Sequence, residues 1–171
     1  MNLLYFVILF VTAHLFQSTV LPAVLPAWLS AAFDIPLIIV VHVAITRGKL
    51  AGMIVGLVMG YSQDAMAAGV LGINGVAKIV AGFSGGLLKE KFFVRSLTNR
   101  LITVFGAVIV ATVMKLIILY LFALPAPDLL SPTFIFALVN NTIFVLLGSS
   151  ALERLEIRIG IRREEEIHLE S

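Results

Sequence analysis

The placement of positive charge constrains this chain more than any other feature. Six apolar segments, at roughly 2–22, 33–46, 50–67, 70–88, 98–124 and 133–152, are joined by short connections. Ten of the twelve lysines and arginines fall in alternate gaps. Arg47 and Lys49 follow the second segment. Lys89, Lys91, Arg95 and Arg100 lie between the fourth and fifth, and Arg154, Arg158, Arg162 and Arg163 follow the sixth. The gaps around 23–32, 68–69 and 125–132 carry none. Short basic loops stay in the cytoplasm, so the pattern predicts an even number of crossings with both termini inside.

Composition points the same way. The chain is 60% hydrophobic and 13% charged, where soluble domains are about 45–50% apolar and about 25% charged. A helical crossing takes about 20 residues, so six leave roughly 50 for everything else. The expected fold is therefore all-α: an integral membrane bundle of six transmembrane helices over 1–152, with a charged cytoplasmic tail over 153–171. There is no room for a separate soluble domain. The amino-terminal run lacks a basic n-region and reads as a retained first helix. The chain has no cysteine, which excludes a disulfide framework, a thiolate metal site and a cysteine nucleophile.

The outer connections are rich in proline. "LPAVLPAWLSAAFD" carries Trp28, a residue favoured at the headgroup boundary. "LPAPDLLSP" reads as a tight turn before the sixth helix. The second segment is short. From Pro36 to Thr46 it reaches only about 17 Å, against a hydrocarbon core of about 30 Å. Asp34 is thus expected at or below the membrane surface, on backbone that neighbours must shelter. In the tail, Glu153, Arg154, Glu156 and Arg158 are spaced for local ion pairs, and the end with Glu164 to Glu166 and His168 is expected to be mobile.

The third segment carries Gly52, Gly56 and Gly60, and the fourth carries Gly82 and Gly86 at the same spacing. In lipid, small residues four apart let two backbones approach closely. The stripe is either internal helix packing or a face for a partner's membrane helix.

Measured from the outer surface, each helix places a polar side chain at a similar depth, roughly 5 to 15 Å by helix rise. These are His14 and Gln17, then His42, Asp64, Lys78, Lys115, and Asn140 with Asn141. With Asp34, they are expected to form a buried polar layer or an outward-opening cavity. A lysine at mid-bilayer costs about 2.5–3.5 kcal/mol on insertion scales. Asp64 is therefore expected to pair with Lys78 or Lys115. The layer serves as structural glue, as a ligand or ion site, or as a contact for a partner's helix. His14, His42 and Asp64 are also suitable types for a proton relay.

No motif of a hydrolase, nucleotide-binding protein or metalloprotease is present, and no basic aromatic surface suits nucleic acid. The expectation is a protein without catalytic residues, metal or cofactor.

The stretch from Arg47 to Phe93 resembles the centre of the MreD family of bacterial rod shape-determining membrane proteins. The matching features are the Arg47-Gly48 turn, the Gly52/Gly56/Gly60 stripe, Asp64, the restart Leu71-Gly72-Ile73-Asn74, and a glycine-containing helix from Gly82 to Lys91. "FQSTVLP" places Gln17 where the family has a glutamine. The family's Pro-Asp at the second helix is altered here to Asp34-Ile35-Pro36.

The resemblance implies a non-enzymatic scaffold of the cell-elongation complex in the bacterial inner membrane. It implies binding to an MreC-like protein, with MreB, RodA and its transpeptidase as further partners in peptidoglycan synthesis. Arg47, Lys49, Lys89, Lys91, Arg95 and Arg100 are then candidate cytoplasmic contacts. It also implies a fold similar to the substrate-binding subunits of energy-coupling-factor transporters. A vitamin-binding subunit of that kind is the alternative function. The first segment offers only Ala13 toward the alanine stripe by which such subunits dock.

Overall fold

The computed structural model describes residues 3–30, 33–67, 70–92 and 97–160. The Trp28 side chain, Arg95, Arg162, Arg163 and the acidic run with His168 lie outside the described parts. Every element among the described residues is helical: α1 (Leu3–Leu15), a π-helical turn (Phe16–Val20), α2 (Leu21–Val24), α3 (Ala27–Ser30), α4 (Ile35–Arg47), α5 (Lys49–Met66), α6 (Ile73–Phe92), α7 (Leu97–Leu121) and α8 (Pro132–Arg158). The π turn has a local cause. Pro22 has no N–H to give the carbonyl of residue 18 and its ring crowds that group. The chain widens by one residue, and the Leu21 N–H bonds to the Phe16 carbonyl instead.

Among the described residues, three helices are long and apolar enough to cross a membrane: Leu4–Val24, Thr98–Leu121 and Pro132–Arg158. α5 and α6 have adequate length, 18 and 20 residues, but glycines and the polar residues Gln63, Asp64, Asn74 and Lys78 dilute their apolar character. α4 has only 13 residues, about 20 Å of rise.

The short helix is the centre of the molecule. Every residue from Pro36 to Ile45 is buried, as expected of a helix that is apolar all round. One flank, with Leu37, Ile38, Val41 and Ile45, packs on Ala81 of α6, Val104, Ala107 and Val108 of α7, and Val145 of α8. The other, with Ile39, Val40 and Val43, packs on Ala13, Val55 and Met59. A helix too short to span is thus wrapped by helices that are longer.

α4 turns into α5 through the single residue Gly48, whose φ of +92° suits only glycine without strain. α5 and α6 then form an antiparallel hairpin with backbones in contact. A Cβ on Gly56 would lie 2.3 Å from the Lys78 carbonyl oxygen, and one on Gly82 would lie 2.3 Å from that of Gly52. Gly60 meets Asn74 and Gly75, and Gly86 meets the Lys49 backbone. All five glycines are therefore used inside the chain, and the stripe is not a free face for a partner.

α8 runs to Arg158, past the expected boundary at 152, and its extension is part of the bundle rather than a tail. Glu153 pairs with Arg100 of α7, and Glu156 is 2% exposed. In place of the local ion pairs expected along this stretch, Glu153 meets Arg100 and Glu156 meets His42 across helices. The buried stripe Val145–Ser149 simply continues one and two turns further, through Leu152 to Glu156.

Candidate functional site

The entrance to α4 organises one end of the bundle. Pro36 stands in the first turn, where its missing N–H costs nothing. Asp34 is the N-cap, accepting from the Leu37 N–H at 3.1 Å. The extended backbone before it is held by side chains from two other helices. Gln17 donates to the Phe33 carbonyl at 3.0 Å and accepts from the Ile35 N–H at 2.9 Å. Asn141 accepts from the Asp34 N–H at 2.9 Å. Away from water, irregular backbone persists only when its polar groups are satisfied in this way. The π turn is what presents Gln17 to this segment.

The other carboxylate oxygen of Asp34 lies 2.6 Å from Lys78 Nζ. This corrects the expected pairing of Lys78 with Asp64. Asp64 instead closes the α5–α6 hairpin. Its two oxygens accept from the N–H groups of Gly72, Asn74 and Gly75 and from Asn74 Nδ2, at 2.8–3.1 Å. Four N–H groups at a helix start have no partner within the helix, and the helix dipole favours an anion there. The acid is thus consumed by capping. Nor does Lys115 reach it: its ammonium bonds to Asn74 Oδ1 at 3.3 Å.

Most of these groups line a cavity of about 700 Å³, and Asp64, spent on the start of α6, does not. Gln17, Asp34, Gln63, Asn74, Lys78, Lys115 and Asn141 line it on the polar side. Leu37, Leu116, Leu119, Phe134 and Leu138 make apolar walls, and Pro127 and Asp128 belong to its rim. Gln63 is a member that sequence reasoning passed over, although it directly precedes the singled-out Asp64. Asn141 serves here, while its neighbour Asn140 is half-buried and does not line the cavity.

Two histidines of the expected layer lie elsewhere. His14 Nε2 lies 2.7 Å from Ser62 Oγ and its Nδ1 lies 2.9 Å from the Phe10 carbonyl, which ties α1 to α5. His42 belongs to a second polar cluster, near the basic end. Its Nδ1 faces the Ser149 carbonyl at 3.2 Å, and its Nε2 stands 3.2 Å from Glu156 Oε1 without hydrogen-bond geometry. Tyr5 and Arg47 share the electrostatic surroundings of Glu156. His42 misses the cavity because α4 begins among the residues that line it, Asp34 and Leu37, so that seven residues from Ile35 carry His42 away towards the Gly48 end. The three residues named for a proton relay therefore sit in three separate networks. Among the described residues, no three His, Asp or Glu side chains gather into a metal site.

The basic residues at this second end are largely engaged. Lys49 pairs with Glu90 at 3.1 Å, Lys89 donates to the Thr46 carbonyl at 3.1 Å, and Arg100 meets Glu153 and Ser149. Arg47 is half-buried, and Lys91 is exposed.

No family model, curated protein or solved structure matches the chain.

Proposed function

We propose that this chain is an MreD-like scaffold of the bacterial inner membrane. It crosses six times, with both termini in the cytoplasm, and gathers an MreC-like protein and other elongation proteins without catalysing a reaction. The observation that carries this reading is the use made of the residues behind the resemblance. Gly48 turns α4 into α5, Gly52, Gly56 and Gly60 interlock with α6, and Asp64 caps the Gly72–Gly75 restart. The whole motif builds one hairpin, so it is an architectural signature rather than a set of chemical groups.

Because that hairpin fills its own glycine stripe, a partner's membrane helix must bind elsewhere. The apolar windows of Leu4–Val24 and Pro132–Arg158 are each only 17% buried. They offer Val7, Val11 and Leu15 on one helix, and Val139, Ile143 and Leu147 on the other. Lipid or a single-span partner covers such faces equally well. The test is affinity purification of the tagged full-length chain from native membranes in mild detergent. Co-purification of an MreC-like protein, with loss of rod shape on depletion, supports the scaffold. A coupling ATPase in its place, or unchanged shape, removes it.

The cavity favours a second reading, a substrate-binding subunit of a transporter. Its size suits a small molecule, for which pockets run from about 300 to 1,000 Å³.

A further inference from the structure

The last turns of α8 sort their charges by side. Glu153 turns to Arg100 of α7, and Glu156 is 2% exposed beside His42. Arg154 and Arg158 turn the other way and are exposed. Among the described residues, neither arginine meets a carboxylate within ion-pair distance. The acids that could have balanced them along the helix face the bundle instead, so the outer face is cationic.

The two arginines bound a groove of about 380 Å³. Its other lining residues are Leu147, Ser150, Ala151 and Leu155, all on the same helical face. Ser150 and Ala151 are small, which opens the groove between larger side chains. Leu147 is 62% and Leu155 44% exposed. α8 is apolar enough to cross a membrane, and its apolar face runs straight into Arg154. The groove therefore straddles the boundary between hydrocarbon and headgroups.

The apolar face higher on α8 does not choose between lipid and a partner's helix, but the groove at its basic end does. A partner's apolar helix would cover Leu147 and leave both arginines without an anion. Like charges four residues apart on a helix repel, and an anion between them turns that repulsion into attraction. The two Cα atoms are separated by about 6 Å of helix rise, so both long side chains reach one phosphate. Guanidinium groups match phosphate oxygens two bonds at a time.

We propose that this groove holds one net-anionic phospholipid of the cytoplasmic leaflet. Its phosphate lies between Arg154 and Arg158, and an acyl chain runs along Ala151 and Leu147. The site requires α8 to cross the membrane and no partner protein, so its failure and the failure of the scaffold reading are distinguishable.

The experiment uses the purified, delipidated full-length chain in detergent, with bound lipid counted by native mass spectrometry. The probes are dioleoylphosphatidylglycerol and dioleoylphosphatidylcholine, which share acyl chains and differ in net charge. The first should saturate one site, and the second should bind about tenfold more weakly or worse. Arg154→Gln and Arg158→Gln should each weaken phosphatidylglycerol binding by about fivefold, and the double variant by more than about tenfold. Lys91→Gln removes an exposed cation that does not line the groove, and should change affinity by less than about twofold. Lipid-free melting midpoints of all variants should match the parent, because the replaced side chains are exposed. Equal binding of phosphatidylcholine, or no saturable site, would overturn the proposal. So would a loss in Lys91→Gln as large as in Arg154→Gln, which is attraction to charge without a site. Unchanged affinity in the double variant would give the groove to another occupant, the chain's own Glu164–Glu166 run or a protein, and would also overturn it.

Discussion

Lys78, 2% exposed on α6, places its ammonium 2.6 Å from the carboxylate of Asp34, 44 residues away at the head of α4. The pair joins the central short helix to the glycine hairpin at the floor of the cavity. Breaking one side of a buried pair strands the other charge, at a cost of about 3–5 kcal/mol. Asp34→Asn should therefore lower the unfolding midpoint strongly. Lys78→Met should cost less, because Asp34 is 22% exposed and keeps its cap to Leu37. The double variant should recover part of the Asp34→Asn loss, and a double-mutant cycle of melting midpoints measures the coupling. Strict additivity would show that the pair contributes nothing.

The glycines separate into two kinds. Gly56 has no space for a methyl group, whose carbon would lie 2.3 Å from the Lys78 carbonyl oxygen, whereas at Gly85 the nearest atoms lie at 3.4 and 3.6 Å. Gly56→Ala must push α5 and α6 apart, with a loss of about 1–3 kcal/mol typical of overpacking. Gly85→Ala should be neutral, or stabilising by up to about 0.5–1 kcal/mol through helix propensity. Thermal unfolding of the two variants side by side checks the ranking.

Asp64 is expected to act on backbone rather than on lysine. Asp64→Ala removes the acceptor for the Gly72, Asn74 and Gly75 amides. Loss of a helix cap costs about 0.5–2 kcal/mol. Hydrogen exchange should accelerate at those amides first and leave Lys78 and its neighbours in mid-helix slow. Uniform acceleration along α6 would mean that Asp64 holds the helix through a side chain instead.

These outcomes mark what the sequence made legible. The helix starts emerged within a few residues of the six segments because apolar runs, Pro36 and Gly48 are local signals, whereas the end of α8 lay six residues beyond its expected place. The need to shelter the backbone at Asp34 was legible from the shortness of the second segment. The partners were not. Which carboxylate Lys78 meets depends on how α4 and α6 are rotated about each other, and no local pattern sets that. His42 was placed in the polar layer by counting along the second segment, and the count did not show that its partners would be Ser149 and Glu156 of α8. Glu156 read as part of a solvated tail since charge alternates there; the stripe Val145, Ser149, Leu152 was the signal that its face is buried.

Glu156 supplies a prediction at the basic end. It stands 3.2 Å from His42 Nε2, and both side chains are almost fully buried. Glu156→Gln keeps the shape and a polar partner and should be tolerated. Glu156→Ala empties a buried site beside His42 and Tyr5, with a loss of about 0.5–3 kcal/mol. Glu153→Ala, by contrast, removes a pair whose side chains are 14% and 24% exposed, and should cost less. Melting midpoints of the three variants test this order.

The absence of cysteine makes the proposed six crossings directly testable, since a single introduced thiol labels without background. Three exposed positions decide the matter: Lys49 at the start of α5, Leu71 before α6, and Leu130, 85% exposed, before α8. If the chain crosses six times, Lys49→Cys is reached by a membrane-impermeant maleimide only after the cytoplasmic face is opened, and Leu71→Cys and Leu130→Cys are reached in intact spheroplasts. If only the three longest helices cross, the α4–α6 region stays on one side. Lys49→Cys and Leu71→Cys then label together and Leu130→Cys labels from the opposite face. The second pattern would leave the glycine hairpin and its cavity intact as a fold, but would place Arg47, Lys49 and Lys89 on the same face as the connection at Leu71. The alternation of basic and charge-free loops would then have no bearing on orientation.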